Sequence, residues 1–165
     1  MTVRTILQWP DKRLRSSCED VTEVTDEVRA IWQDMIDTMD AMPGVGLGAP
    51  QIGVMLRLAV VDTSEARDKR IRLANPEVVD ASAIMNVHEE ASPCLPGVSA
   101  KVSRPRGVRV RYLDETGASV ERDFVGLDAT SVQHQVDHLV GKLYFARLSK
   151  VKRDILLRRA RKMKG

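Results

Sequence analysis

Between Asp26 and Ala41, apolar residues recur at Val28, Ile31, Trp32, Met35, Ile36 and Met39. That three-four spacing predicts an amphipathic helix that buries one stripe. Thr25 stands where an N-cap side chain is needed, and Pro43 with Gly44 marks the stop. The pattern changes at LRLAVVD, Leu56 to Asp62, a short run rich in β-branched residues that reads as a buried strand. A second strand is expected from Ile71 to Ala74. Between Val98 and Val125 polar and apolar positions alternate. There VRVRYLD and SVERDFV, on either side of Glu115-Thr116-Gly117, predict an antiparallel hairpin. Two helical segments follow. One carries SVQHQVDHL, and the other runs from about Ser149 to Lys164 with Val151, Ile155 and Leu156 as its apolar stripe. The order of helix, strands, helix, helix predicts an α+β fold, with antiparallel strands packed around a central helix carrying HQVDH and a further helix at the C-terminus.

A chain of 165 residues is expected to form one domain, residues 1–165, large enough to bury its core without a metal or disulfide staple. With 43% hydrophobic and 30% charged residues, the composition is that of an ordinary globular protein. The opening MTVRTILQWP lacks the apolar stretch of a secretion signal, and no run is long enough to span a membrane. A cytoplasmic protein with reduced thiols at Cys18 and Cys94 is the expectation. The net charge of +3 is unevenly spread, because Arg147 to Lys164 holds nine Lys or Arg against the single acid Asp154. Such a tail suits a polyanionic partner, and equally a solvated helix face.

The chemistry-bearing residues gather in three segments. His134 and His138 stand at i and i+4, so a helix puts both imidazoles on one face, as metal-dependent hydrolases do with HExxH. Here the intervening glutamate is replaced by Gln135. The competing reading is a pair of hydrogen-bonded core histidines. Upstream, PGVGLGAPQIG from Pro43 to Gly53 has three glycines at alternate positions, but it follows a helix and leads into a strand, the reverse of a dinucleotide-binding loop. It can bring backbone N–H groups close to a ligand, with Gln51 adding an amide donor; a tight turn is the alternative. The third segment, HEEASPCLPGVSA from His88 to Ala100, is uninformative alone.

Taken together and in this order, GVGLGAPQ, EEASPCLPG and QHQVDHL resemble the three motifs of the peptide deformylase family, GxGLAAxQ, EGCLS and QHExDHL. The likeness extends to ILQWPDKRLR and to DMIDTM on the first helix. The resemblance implies an α+β fold in which the second-motif cysteine and two helix histidines hold a metal, usually Fe(II), with Zn(II) also suited to such a site. Its water removes the formyl group from the N-terminal formylmethionine of nascent chains. It also implies that Gly44, Val45, Gly46 and Leu47 border the substrate and that Gln51, with the N–H of the residue after the cysteine, stabilises the oxyanion. The third-motif glutamate moves protons. The resemblance further implies that the basic C-terminal helix touches the ribosome, as in relatives.

Two alignments of the second motif decide what remains of that machinery. Set against EEGCLSVPGV without a gap, EEASPCLPGV places Ser92 at the ligand position and Pro93 at the oxyanion position. The rival alignment slides Cys94 onto the ligand position but needs a compensating insertion and deletion. In the ungapped alignment the ligand, the oxyanion donor and, at Gln135, the proton carrier have all changed, which predicts doubtful metal binding and weak or absent hydrolysis. The alternatives are a non-catalytic binder of nascent N-termini or of the ribosome, and an active deformylase that uses Cys94.

Overall fold

In the computed structural model, which describes residues 2–164, helix α1 (Asp26–Ala41) forms where the apolar spacing predicts it. The Thr25 hydroxyl accepts a hydrogen bond from the Val28 N–H, capping the first turn. Val28, Trp32, Met35, Ile36 and Met39 are buried on one face. Each such side chain stabilises the fold by about 1.5–3 kcal/mol through its removal from water. The Trp32 indole N–H also donates to the Leu73 carbonyl, which ties the helix to the sheet beneath.

That sheet has five antiparallel strands, β1 (Gly46–Gly48), β2 (Leu58–Val61), β3 (Ile71–Ala81), β6 (Gly107–Leu113) and β7 (Ser119–Val125), in the order β1-β2-β3-β6-β7. A separate antiparallel pair is formed by β4 (Met85–Glu90) and β5 (Ala100–Pro105). The β6–β7 hairpin has the predicted arms, and Asp114 organises its turn by accepting from the N–H groups of Thr116 and Ala118. Strand β3 runs seven residues past the expected stop at Ala74. Asn75-Pro76 reads as a break in sequence. Asn75 instead takes a positive φ of 50°, donates to and accepts from Val21, and the ladder to β6 resumes after an irregularity between Ala74 and Glu77. The β4–β5 pair was not foreseen as a unit, because its strands are separated by the loop containing SPCLPGV.

Helix α2 (Leu127–Leu139) carries HQVDH and passes through the middle of the molecule, touching β1, β2, β3, β5 and β7. The expected α+β architecture around a central helix is therefore what the chain adopts. At its end Gly141 sits at φ 80°, and a Cβ there would come within 2.7 Å of the Arg15 backbone. Only glycine lets the two segments approach so closely.

Helix α3 (Lys150–Lys164) closes the fold, but its buried stripe differs from the expected one. Leu156 and Ala160 are buried, whereas Val151 and Ile155 are exposed. No helix among the described residues is long and apolar enough to cross a membrane.

Candidate functional site

Ten of the thirteen residues of α2 are buried, so its polar side chains must find partners inside the protein. Most do. Ser131 donates to the Val45 carbonyl, Gln133 to the Pro105 carbonyl, and Thr130 pairs with His88. His134 Nδ1 lies 2.8 Å from Glu90 Oε1, and Asp137 accepts from Arg104 at 2.9 Å and from Arg147 at 2.7 and 2.9 Å. Arg104 lies wholly inside and donates to both oxygens of Glu90, at 2.6 and 2.9 Å. Its position follows from strand alternation: Val102 and Arg104 share the inward face of β5.

These contacts fix the protonation states. Burial alone would raise the Glu90 carboxyl, but hydrogen bonds from His134 and Arg104, with the Arg104 charge, outweigh it and hold it below the ordinary glutamate value. Asp137 is likewise held low against burial by Arg147 and Arg104. Two carboxylates and two guanidiniums thus form a network with no net charge.

The exceptions to satisfaction cluster at one place. His138 is fully buried and neither of its ring nitrogens has a hydrogen-bond partner; the Oε1 of Gln135 is also unpartnered. Burial, reinforced by the charges of His134 and Arg104, pushes His138 well below the usual histidine range, so its imidazole is neutral. The ring centroids of His134 and His138 are 5.0 Å apart. Tyr144 stacks on His134 at 5.9 Å, and its buried hydroxyl, also unpartnered, is pushed up to about 12 by burial and by Glu90.

Beside this pair opens a cleft of about 450 Å³. Gly44 and Val45 line it from the segment between α1 and β1, Gly46 from the start of β1, Ser92 and Pro93 from the loop after β4, and His134 and Gln135 from α2. Gln51 joins them from a 3-10 turn after β1. Its Oε1 accepts from the Gly48 N–H, which turns its Nε2 toward Cys94 Sγ at 3.4 Å. Gly46 is required by close approach: a Cβ there would lie 2.6 Å from Gln135 Nε2 and 2.8 Å from Ser131 Oγ. Leu47, expected at the cleft, instead turns its side chain away and is buried in the core with Trp32 and Met39. Successive residues of a strand face opposite sides, so with Gly46 on the cleft the Leu47 side chain points into the core.

The second-motif loop separates its two candidate ligands. Ser92 lines the cleft, whereas Cys94 packs into a cluster with Leu14, Val102 and Phe145. Burial raises the Cys94 thiol, partly countered by Gln51 and Ser92. The Ser92 hydroxyl accepts from the Cys94 N–H. Among the described residues no three His, Cys, Asp or Glu side chains converge as a set able to hold a metal ion. What faces the cleft is the His134 imidazole and the Ser92 hydroxyl, with His138 buried behind His134 and Glu90 already engaged by Arg104 and His134. Serine is a poor ligand for Zn(II) or Fe(II), so this donor set does not fit a tightly held cation.

Arg104, Asp137, Arg147 and Tyr144 were not singled out from sequence. For Arg104 a signal exists: an arginine in register with Val102 on an otherwise apolar strand face. For Tyr144 and Arg147, which meet α2 only through tertiary packing, none does.

A family model described as polypeptide deformylase matches residues 3–154. A peptide deformylase of Rhodopseudomonas palustris is 43% identical over 98% of this chain and 95% of its own length. A protein of Bradyrhizobium diazoefficiens described as peptide deformylase-like is 40% identical over 99% of this chain and 95% of its own length. Among solved structures, a peptide deformylase from Legionella pneumophila superposes with a TM-score of 0.90 at 40% identity, covering 98% of this chain and 95% of that one. The Ehrlichia chaffeensis enzyme in complex with actinonin gives 0.92 at 34% identity, covering 99% and 98%.

Proposed function

This chain belongs to the peptide deformylase family, and on that footing we propose that it holds the formylmethionyl N-terminus of nascent polypeptides in its cleft while hydrolysing the formyl group weakly or not at all. The family reaction is metal-dependent hydrolysis of that formyl group. The observation that carries the reading is the company kept at the chemical end of the cleft, where Ser92, Pro93 and Gln135 stand together around His134.

Each of the three lacks something the family reaction uses. The Ser92 hydroxyl brings no negative charge to a cation, so Fe(II) or Zn(II) is held loosely or not at all. Pro93 has no N–H to offer a developing oxyanion, and loss of one such donor costs about 10² to 10³ in rate. Its carbonyl is engaged by Gln8. Gln135 is a neutral amide that cannot take a proton, which removes help worth about 10² to 10⁴. These losses act on one unit and need not multiply.

Peptide binding rests on different groups, and those remain. Strand β1 is an edge of its sheet, and β4 is one of the two edges of its pair with β5. Gly46 and Glu90, at their ends, both border the cleft, so an extended peptide can be held by strand addition between them. Gln51 and Gly46 take part in holding the carbonyl end; His134, His138 and Ser92 are the remnant of the ligand set.

The test is formyl-Met-Ala-Ser with the purified protein. Saturable binding with turnover reduced by at least about 10³ relative to the triple variant Ser92→Cys/Pro93→Leu/Gln135→Glu supports the reading, on the magnitudes above. Robust turnover by the unaltered chain with stoichiometric metal, or no gain in the triple variant, overturns it.

A second reading concerns α3. Its Lys and Arg side chains lie mostly on the exposed surface of the helix, around the buried Leu156 and Ala160. This supports contact between the helix and ribosomal RNA in the cytoplasm, where the cleft would meet emerging N-termini.

A further inference from the structure

Resting on the cleft reading, we infer that strand β4 reads the bound peptide beyond its first residue, preferring a basic side chain at the second position and an apolar one at the fourth. Along β4, Met85, Val87 and Glu89 are exposed, whereas Asn86 and His88 are half-buried and Glu90 is buried. That alternation puts Met85, Val87 and Glu89 on one open face of the strand. His88 points the other way, where its Nδ1 meets Thr130 Oγ1 of α2 at 2.8 Å. Across the ladder on β5, Met85, Val87 and Glu89 stand opposite Pro105, Ser103 and Lys101. Val87, 59% exposed, thus has only a serine beside it, and Met85 is 51% exposed. Glu89 accepts from the Ser99 hydroxyl at 2.6 Å and, among the described residues, makes no ion pair. Apolar side chains on a strand with an unpaired edge form a surface that sheet proteins ordinarily cover or blunt.

This face is continuous with the cleft. Glu89 and Glu90, the last two residues of β4, both line it, and Ser92 follows at the chemical end. A peptide that starts beside Ser92 and adds to the edge of β4 runs back along the strand, antiparallel to it. Its first side chain enters the cleft on the face of Glu90. Alternation then sets the second side chain opposite Glu89 and the fourth opposite Val87, both on the open face. Directly opposed side chains lie about 4.5–5.5 Å apart at Cβ, near enough for charge or apolar contact to select between residues. Of the two carboxylates on the cleft, only Glu89 is available to a cation, because Glu90 is held by Arg104 and His134. The occupant that fits is therefore the downstream part of the same peptide, with lysine or arginine second and an aliphatic residue fourth.

The test is calorimetry with formyl-Met-Lys-Ser-Leu amide and its variants. At about 50 mM salt the lysine peptide is expected to bind at least about fivefold more tightly than one with glutamate second, and the ratio is expected to fall toward one at about 1 M. Leucine fourth is expected to exceed aspartate fourth by about threefold. Glu89→Lys is expected to reverse the lysine–glutamate order, and Val87→Ser to remove the preference for leucine. Moving lysine to the third position turns it to the other face, so formyl-Met-Ser-Lys-Leu amide is expected to lose the gain. Equal affinities across the peptides overturn the inference, as does a lysine preference that survives Glu89→Lys or that is undiminished at the third position. Formyl-Met-Ala-Ser is measured alongside. If it binds and the longer peptides do not differ, this inference fails alone; if no formyl peptide binds, the cleft reading fails and this inference with it.

Discussion

Replacing Arg104 with methionine is expected to destabilise the protein by about 3–5 kcal/mol, the range for breaking a buried ion pair from one side. The side chain is 1% exposed and bridges Glu90, 4% exposed, to Asp137, 10% exposed. Removal leaves two buried carboxylates facing one guanidinium, that of Arg147, which is 41% exposed and touches only Asp137. Glu90 keeps a single partner, His134. Methionine preserves much of the apolar volume, so the loss reports charge rather than a cavity. Against a typical stability of about 5–15 kcal/mol the change is large, and it corresponds to a drop in Tm of about 6–20 °C for a chain of this size. Urea and thermal unfolding of Arg104→Met measure it. The same experiments on Arg104→Met/Glu90→Gln, which removes the orphaned charge as well, should show the double variant losing less than the sum of the single ones by about 0.5–3 kcal/mol. A loss below about 1 kcal/mol, or strict additivity, would refute the reading of Glu90 and Asp137 as carboxylates held ionised by Arg104.

Other outcomes follow from the same contacts. Asp62 is buried, and although burial would raise its carboxyl, the Ser64 hydroxyl and N–H with Arg67 and Arg70 hold it below the ordinary value of 3.8. A carboxyl depressed on folding stabilises the fold above its unfolded value and loses that contribution as pH falls through the folded one. Wild type should therefore exceed Asp62→Asn in urea midpoint at pH 7 by a margin that closes below about pH 4; a constant margin contradicts this. Gly141→Ala should cost about 1–3 kcal/mol because φ is 80° and the added carbon meets the Arg15 backbone, and an unchanged Tm would refute it. Gly46→Ala displaces the Gln135 amide and is expected to weaken formyl-peptide binding at least tenfold by calorimetry while the fold persists. Neutralising Arg158, Arg159, Arg161 and Lys162 should reduce co-sedimentation with ribosomes and leave Tm within about 1 °C, since exposed charges contribute little to stability; sedimentation that does not change removes the ribosome reading.

Local periodicity made α1 legible to the residue, because Val28, Trp32, Met35, Ile36 and Met39 repeat at the helical period and only one face needs burying. The β6–β7 hairpin was legible for the same reason at period two. Strand β3 was cut short because Asn75-Pro76 is turn chemistry in sequence, and only the tertiary bond to Val21 shows why the strand continues. On α3, Val151, Ile155 and Leu156 are equally apolar, and only the neighbours against which Leu156 packs select it. In the site, the spacing of His134 and His138 could be read directly. The four-membered charge network could not, since Glu90, Arg104, Asp137 and Arg147 come from four separate elements and meet only after folding.

The near-complete burial of α2 separates the inheritance of shape from the inheritance of chemistry. Its anchors are strands on several sides and a neutral charge network, and none of these depends on an ion. A chelator should then leave the unfolding curve of this chain where it was, unlike that of a domain folded around its metal. Divergence on such a scaffold can discard a ligand, a donor and a base one at a time without a collapse in stability that would select against the loss. A groove shaped for one end of a peptide can keep its form whatever becomes of the chemistry beside it.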